Sequence, residues 1–260
     1  MIPIRDDNPT LRTPVVTILI IVLNGAAWLL LQGAGSGELL AKSVCSLGVI
    51  PGELTGLAAG HRLQLGQDLV CVVGTTPAWY TVITAMFMHG SWFHIIGNMW
   101  FLWIFGNNVE DSMGRFRFVI FYLLSGIAAA ATHILIAPDS STPMVGASGA
   151  IGGIMGAYVI LYPRVPVHLL VFLGFYVTTF AVPAFVMLGY WFLLQLFSGL
   201  PQIGGGESGV AFWAHVGGFA AGAILIFFFR NPKLVEMHRQ MVERESGYRY
   251  GRRDRRRSDW

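Results

Sequence analysis

The stretch PMVGASGAIGGIMGAY, Pro143 to Tyr158, decides how this chain is read. It is apolar and uncharged, and glycines recur through it at Gly149, Gly152, Gly153 and Gly156. Gly149/Gly153 and Gly152/Gly156 lie four apart, the spacing that lets two helices meet at their backbones inside a bilayer. Ser148 stands at the head of that run. It is either one more small packing residue or a nucleophile that the packing puts in place.

The rest of the chain supports a membrane setting. Of its 260 residues 54% are hydrophobic and only 12% are charged, with a mean hydropathy of +0.60. A soluble domain carries about 25% charged residues. Long stretches between Pro14 and Phe229 hold no Asp, Glu, Lys or Arg, as in a chain that crosses a bilayer several times. The net charge of +3 comes from a basic tail, so it implies no nucleic-acid partner. The two cysteines form no metal-type cluster, and no metal or other cofactor is expected.

A hydrocarbon core of about 30 Å takes about 20 apolar residues per helix. Six segments fit: residues 14–32, 92–107, 116–137, 147–162, 181–200 and 211–229. The apolar run 165–179 reads as a connection along or into the inner interface, and seven spans is the competing count. The expected fold is an all-α membrane protein, a six-helix bundle over residues 14–230. Residues 1–13 form a cytoplasmic N-terminus, and residues 231–260 a basic cytoplasmic tail without fixed structure. The first apolar run exceeds the roughly 7–15 residues of a signal-peptide core, so it reads as an uncleaved span. With both ends inside, fifteen of the seventeen Lys and Arg fall on the cytoplasmic side, leaving Lys42 and Arg62 outside. Residues 33–78 then form a long structured outer loop holding Cys45 and Cys71, either bridged or as free thiols.

Polar side chains within a bilayer are costly and are functional suspects. Ser125 and Ser198 can bond to their own helix backbones, and Asn24, His133 and Gln195 read as interhelical hydrogen-bond partners. His94, Asn98, Ser148 and His215 form a separate group. His94 and Asn98 share a face of the second span by i, i+4 spacing. Ser148 opens the fourth span, and His215 lies about one turn into the sixth. All four thus sit at a similar depth near the outer surface. Gly218/Gly222 on the sixth span repeats the spacing seen on the fourth, so a close crossing would bring Ser148 to His215. A nucleophile, a base and oxyanion donors are the parts of an acyl-transfer site. No carboxylate lies at that depth, so the pair is a dyad rather than a triad. The chain has no His-Glu-x-x-His zinc motif, no intramembrane aspartate pair and no Gly-x-Ser-x-Gly elbow.

The motifs Gly146-Ala147-Ser148-Gly149, Ala214-His215-x-x-Gly218-x-x-x-Gly222 and His94-x-x-x-Asn98, in their order and depths, closely resemble the rhomboid family of intramembrane serine proteases. The resemblance runs over about residues 77–230. It implies Ser148 as nucleophile, His215 as general base, and His94 and Asn98 near the oxyanion. It implies single-span membrane proteins as substrates, cut near their outer ends, with membrane lipid as surroundings. The expected location is a prokaryotic inner membrane. The fifth span and the stretch PQIGGGESGV correspond to the family's gate and cap. Two positions depart from the pattern. Many bacterial members have a Trp-Arg pair where this chain reads Trp79-Tyr80-Thr81. Members can also carry an aromatic residue, stacked on the histidine, where this chain has Gly152, so either another side chain holds the His215 ring or the ring is held less firmly. The rival readings are a catalytically inactive rhomboid-like protein that binds membrane clients, and a small transporter. The first typically lacks the serine or the histidine, and the second places polar groups along a path from both sides.

Overall fold

A computed structural model of the chain describes residues 2–65, 69–174, 176–203 and 209–257. In chain order the elements are β1 (Ile2–Asp6), α1 (Val15–Leu30), α2 (Gly37–Leu47), α3 (Pro51–Thr55), β2 (Arg62–Gln64), β3 (Val70–Val72), α4 (Thr81–Thr84), α5 (Trp92–Met113), α6 (Arg115–Ile136), α7 (Ser148–Leu161), β4 (Pro166–Leu173), β5 (Tyr176–Pro183), α8 (Ala184–Ile203), α9 (Phe212–Phe229) and α10 (Pro232–Arg257).

Helices occupy all six expected segments. Of these, α6, α8 and α9 are long and apolar enough to cross a membrane, while α1 and α7 are shorter apolar helices. The central helix is α7, buried at every residue from Gly149 to Tyr158 and packed by α5, α6 and α9. A helix enclosed on all sides has no need of a polar face, so its sequence is apolar or small all round. Its neighbours pack Leu102, Phe105, Phe118 and Phe121 against Ile151, Ile154 and Met155. The bundle's outside is also apolar, with Leu19, Val22, Leu30, Phe197, Ile224 and Phe228 all exposed. So large an apolar exterior suits lipid and not water.

Carboxylates gather at the end of the bundle that carries the chain's N-terminal segment. Glu110 accepts hydrogen bonds from the backbone N–H groups of Val16 (3.1 Å) and Thr17 (2.8 Å) and from the Thr17 hydroxyl (2.8 Å). It thereby caps α1, whose flanking Pro14 offers no side-chain cap. Asp111 accepts from Leu11 N–H at 2.5 Å and from Arg12 Nε at 3.3 Å. These partners explain why α5 runs to Met113, beyond the expected end at residue 107.

The expected all-α class needs correction. Residues 165–179, read as a connection, contain β4 and the first part of β5, and β4 is the middle strand of an antiparallel sheet ordered β1-β4-β5. Residues 181–183, read as the start of the fifth span, end β5, and α8 begins at Ala184. Val167, Val171, Val177, Thr178, Thr179 and Val182 favour a pleated backbone, and Gly174 supplies a φ of 62° between the strands. A short apolar run has no periodicity that separates a strand from a buried helix.

The tail also differs from expectation. Residues 231–260 were expected to lack fixed structure, yet α10 spans Pro232–Arg257. Its start is held by Asn231 N–H on the Ser112 carbonyl (2.8 Å). The buried His238 lies 2.9 Å from the Pro9 carbonyl and packs on the Tyr162 ring. At the other end of the bundle, the described residues of 33–78 include α2, α3, β2 and β3. A Cys45–Cys71 disulfide ties α2 to the β2–β3 pair, which decides between the bridge and free thiols.

The β1 segment is attached through titratable groups. Tyr158 on α7 donates its hydroxyl to Asp6 at 2.5 Å, Asn8 donates to that hydroxyl at 3.2 Å, and Asp7 meets His168 on β4 at 2.9 Å. Burial raises the Asp6 carboxyl to about 6, against the opposing pull of the Tyr158 bond. The folded chain then holds this proton more tightly than the unfolded one, whose carboxyl titrates near about 3.9. Stability contributed by Asp6 is therefore largest below that value and falls as pH rises through about 6. Amide exchange in residues 2–7, corrected for intrinsic rates, should show protection that declines between about pH 4 and pH 6. Asp6→Asn should flatten that decline.

Candidate active site

Ser148 is the first residue of α7, and several backbone bonds position it. Met144 and Val49 exchange N–H···O bonds of 2.7 and 2.9 Å, and Gly146 N–H donates to Ala85 O at 2.9 Å. No side chain caps α7, so its first-turn N–H groups remain available as donors. At about 1.5 Å per residue, the 14 residues of α7 cover about 21 Å, less than a hydrocarbon core of about 30 Å. A cavity of about 1060 Å³, lined by Ser148, His215, His94, Asn98, His133 and Gln195, lies at this point.

Backbone contact between α7 and α9 brings His215 to Ser148. A Cβ on Gly218 would collide with the Gly149 carbonyl, one on Gly222 with the Gly153 carbonyl, and one on Gly156 with the Phe219 carbonyl. One on Gly152 would sit 3.1 Å from the His215 carbonyl. Gly149 and Gly153 turn their own Cα faces to α6, where a Cβ would crowd Ala129 and Ser125. The expected two-helix crossing is therefore a three-helix junction. It sets His215 Nε2 2.8 Å from Ser148 Oγ.

His94 and Asn98 converge on the same spot, beside Gly146. A Cβ at Gly146, whose φ is +124°, would lie 2.7 Å from His94 Nε2 and 3.4 Å from Asn98 Nδ2. His94 Nδ1 accepts the Gly90 N–H at 3.3 Å, so the proton of a neutral ring sits on Nε2, the nitrogen nearer Gly146. Asn98 Nδ2 is buried without a hydrogen-bond partner. His94 Nε2 and Asn98 Nδ2 thus lie side by side next to Gly146, two residues before the start of α7. The His94 ring is braced edge-on by His89, with centroids 5.1 Å apart. The His89 backbone is in turn clamped by Gln32 through bonds of 2.7 and 2.8 Å.

The side chains that hold His215 come from α8. Gln195 Oε1 is 2.8 Å from His215 Nδ1, and the Trp191 ring lies 5.8 Å from the imidazole, centroid to centroid. Trp191 does the work of the aromatic missing at Gly152, and its i, i+4 relation to Gln195 was the available signal. Gln195 is an interhelical partner as expected, and its partner is the histidine of the site. Around Trp79-Tyr80-Thr81, Tyr80 and Thr84 hold the segment by donating to the carbonyls of Ser46 (3.3 Å) and Leu47 (2.8 Å). Asn24 donates to Ile20 in its own helix at 2.8 Å, and its side chain also interacts with Tyr122 of α6. Two other expectations change. Ser125 makes no bond to its helix and instead packs toward Gly153. His133 lines the cavity with Nδ1 unpartnered. Residues 204–208, the centre of the expected cap, lie outside the described residues. Among the described residues no group of three or more His, Cys, Asp or Glu could hold a metal ion.

The crossing makes a direct prediction. Gly218→Leu should abolish covalent labelling of Ser148 by a fluorophosphonate although Ser148 and His215 remain. Gly146→Ala, which displaces His94, should slow labelling by up to about 100-fold, the scale of one lost oxyanion donor. Gly189→Ala, where a Cβ meets nothing within 4 Å, should label normally.

Comparison with known proteins identifies the family. The model of the Rhomboid domain matches residues 76–232, more than half of the chain. Rhomboid-like protein 11, chloroplastic, of Arabidopsis thaliana is 36% identical over 104 residues, 40% of this chain and 37% of that protein. RHOMBOID-like protein 6, mitochondrial, of the same plant is 30% identical over 154 residues, covering 58% and 49% of the two chains. Rhomboid protease GluP of Bacillus subtilis (strain 168) is 32% identical over 149 residues, covering 56% and 26%. The matched segment thus spans less than half the length of each of these relatives. The domain match, the apolar helices and the motif-bearing junction of α5, α7 and α9 together identify the chain as a member of the rhomboid family of integral membrane proteins.

Proposed function

We propose that this protein is an intramembrane serine protease that hydrolyses peptide bonds of single-span membrane proteins near the outer membrane face. The observation that carries the reading is the 2.8 Å approach of His215 Nε2 to Ser148 Oγ. A partly buried serine next to an unprotonated imidazole nitrogen is an activated nucleophile. Ser148 Oγ attacks the substrate carbonyl carbon as its proton passes to His215 Nε2. The carbonyl oxygen becomes an oxyanion that accepts from Asn98 Nδ2, His94 Nε2–H and the Ser148 N–H at the head of α7. The C–N bond then breaks, and His215 gives its proton to the leaving amine. Water entering through the cavity loses a proton to His215 and attacks the acyl-serine. That releases the carboxylate product and restores the hydroxyl.

The reading includes six spans, with both termini in the cytoplasm of a prokaryotic cell. The distribution of Lys and Arg supports the orientation of the termini. So does the Cys45–Cys71 disulfide, which lies at the opposite end of the bundle from β1 and α10 and suits an oxidising compartment.

Purified protein in liposomes should label with a fluorophosphonate and cleave a single-span reporter. Ser148→Ala and His215→Ala should each abolish both signals. Asn98→Ala should lose up to about 2.7–4 kcal/mol of transition-state stabilisation. Cleavage by Ser148→Ala would refute the mechanism, and a wild-type protein that binds reporter without labelling or cleavage would make it a client-binding member.

A further inference from the structure

The middle of α8 carries a polar contact that a two-residue site does not use. Along one face of this helix lie Leu188, Trp191, Gln195, Gly199 and Gln202, spaced three or four apart, while Tyr190, Leu193, Leu194 and Phe197 are exposed on the others. The inward face meets α9 near both ends of the site. Trp213 Nε1 donates to Gly199 O at 2.8 Å, and Gln195 Oε1 meets His215 Nδ1 at 2.8 Å. Otherwise α8 is lightly held, since only Ala184, Leu188, Gly199 and Gln202 of its residues are buried.

We propose that Gln195 is a positioning residue of the site: its amide oxygen accepts Nδ1–H of His215, so the base is complete only while α8 is seated against α9. This rests on the Ser148–His215 reading above. With the proton held on Nδ1, the lone pair of the neutral ring is on Nε2, facing Ser148 Oγ. Without that acceptor the ring can take the other tautomer, whose Nε2–H cannot receive the serine proton. When Nε2 becomes protonated, Nδ1–H stays on the ring and stays hydrogen-bonded, and Gln195 gains and loses no proton. An aspartate would hold the ring more strongly, but a carboxylate at this depth carries a large desolvation cost. A neutral amide supplies the acceptor without that charge. A hydrogen bond weakens steeply beyond about 3.5 Å, so a shift of α8 by an ångström or so switches the base off. The position of α8 and the reactivity of Ser148 are then one variable.

The test compares the full-length wild type with Gln195→Leu, which removes the acceptor at similar volume, and Gln195→Glu, which keeps an oxygen at the same reach. The readouts are the rate of fluorophosphonate labelling of Ser148, and kcat and KM on a single-span reporter. Gln195→Leu should label at least about tenfold more slowly, within the range general-base catalysis contributes, with kcat lowered and KM unchanged. Gln195→Glu should recover most of the labelling rate, and Leu194→Ala on an exposed face should match the wild type. If Gln195→Leu melts below the wild type, Gln195→Met replaces it. Wild-type labelling by Gln195→Leu, alongside a silent Ser148→Ala, overturns the role of Gln195 and leaves the dyad standing. Equal loss in folded Gln195→Leu and Gln195→Glu also overturns it, because packing alone would then explain the effect. Absence of Ser148-dependent labelling in the wild type removes the dyad reading, and this inference with it.

Discussion

Everything at the site depends on two helix backbones touching. Where α7 meets α9, the Cα of Gly218 rests on the Gly149 carbonyl and that of Gly222 on the Gly153 carbonyl, with no room for a side chain between them. In hydrocarbon the helices gain nothing by hiding apolar surface from water, so close van der Waals packing must hold them together. The same contact sets the distance between Ser148 and His215. Packing and chemistry are therefore one constraint, and the glycines serve both.

A second constraint is the cost of charge in the bundle. The carboxylates with structural work, Glu110 and Asp111, sit at the end of α5 farthest from His94 and cap or anchor the chain around α1. Among the described residues, the polar side chains that meet Ser148, Gly146 or His215 are imidazoles and amides, while the Asp139 carboxylate lines the same cavity. Each of those imidazoles and amides can donate or accept without carrying a formal charge in the resting state. Asn98 keeps an unpartnered buried donor there, an arrangement that costs about 1–3 kcal/mol in an ordinary interior. On the proposed protease reading, the oxyanion of the substrate is the acceptor that offsets this cost.

The spans and motif residues were legible because a bilayer imposes simple rules. Length and apolarity marked six helical segments, and i, i+4 spacing put His94 beside Asn98. The run 165–179 was not legible as a hairpin. Its pairing partners include Ile2–Asp6, more than 160 positions away in the chain, and apolar content alone does not distinguish pleat from helix. The helical tail escaped for a related reason. Its basic composition reads as solvated, and its docking relies on Pro9, Ser112 and Tyr162 from distant segments.

By itself the sequence determined that the chain lives in a membrane, which residues could react, and that glycines would let helices approach. These follow from local composition and spacing, which a bilayer constrains tightly. Only the tertiary structure decided which groups meet. It paired Cys45 with Cys71, turned Gly149 and Gly153 toward α6 as well as α9, and set Trp191 and Gln195 against His215. Those contacts depend on the rotation and offset of whole helices. Side chains from every element at the crossing set these together, and no single stretch of sequence carries them.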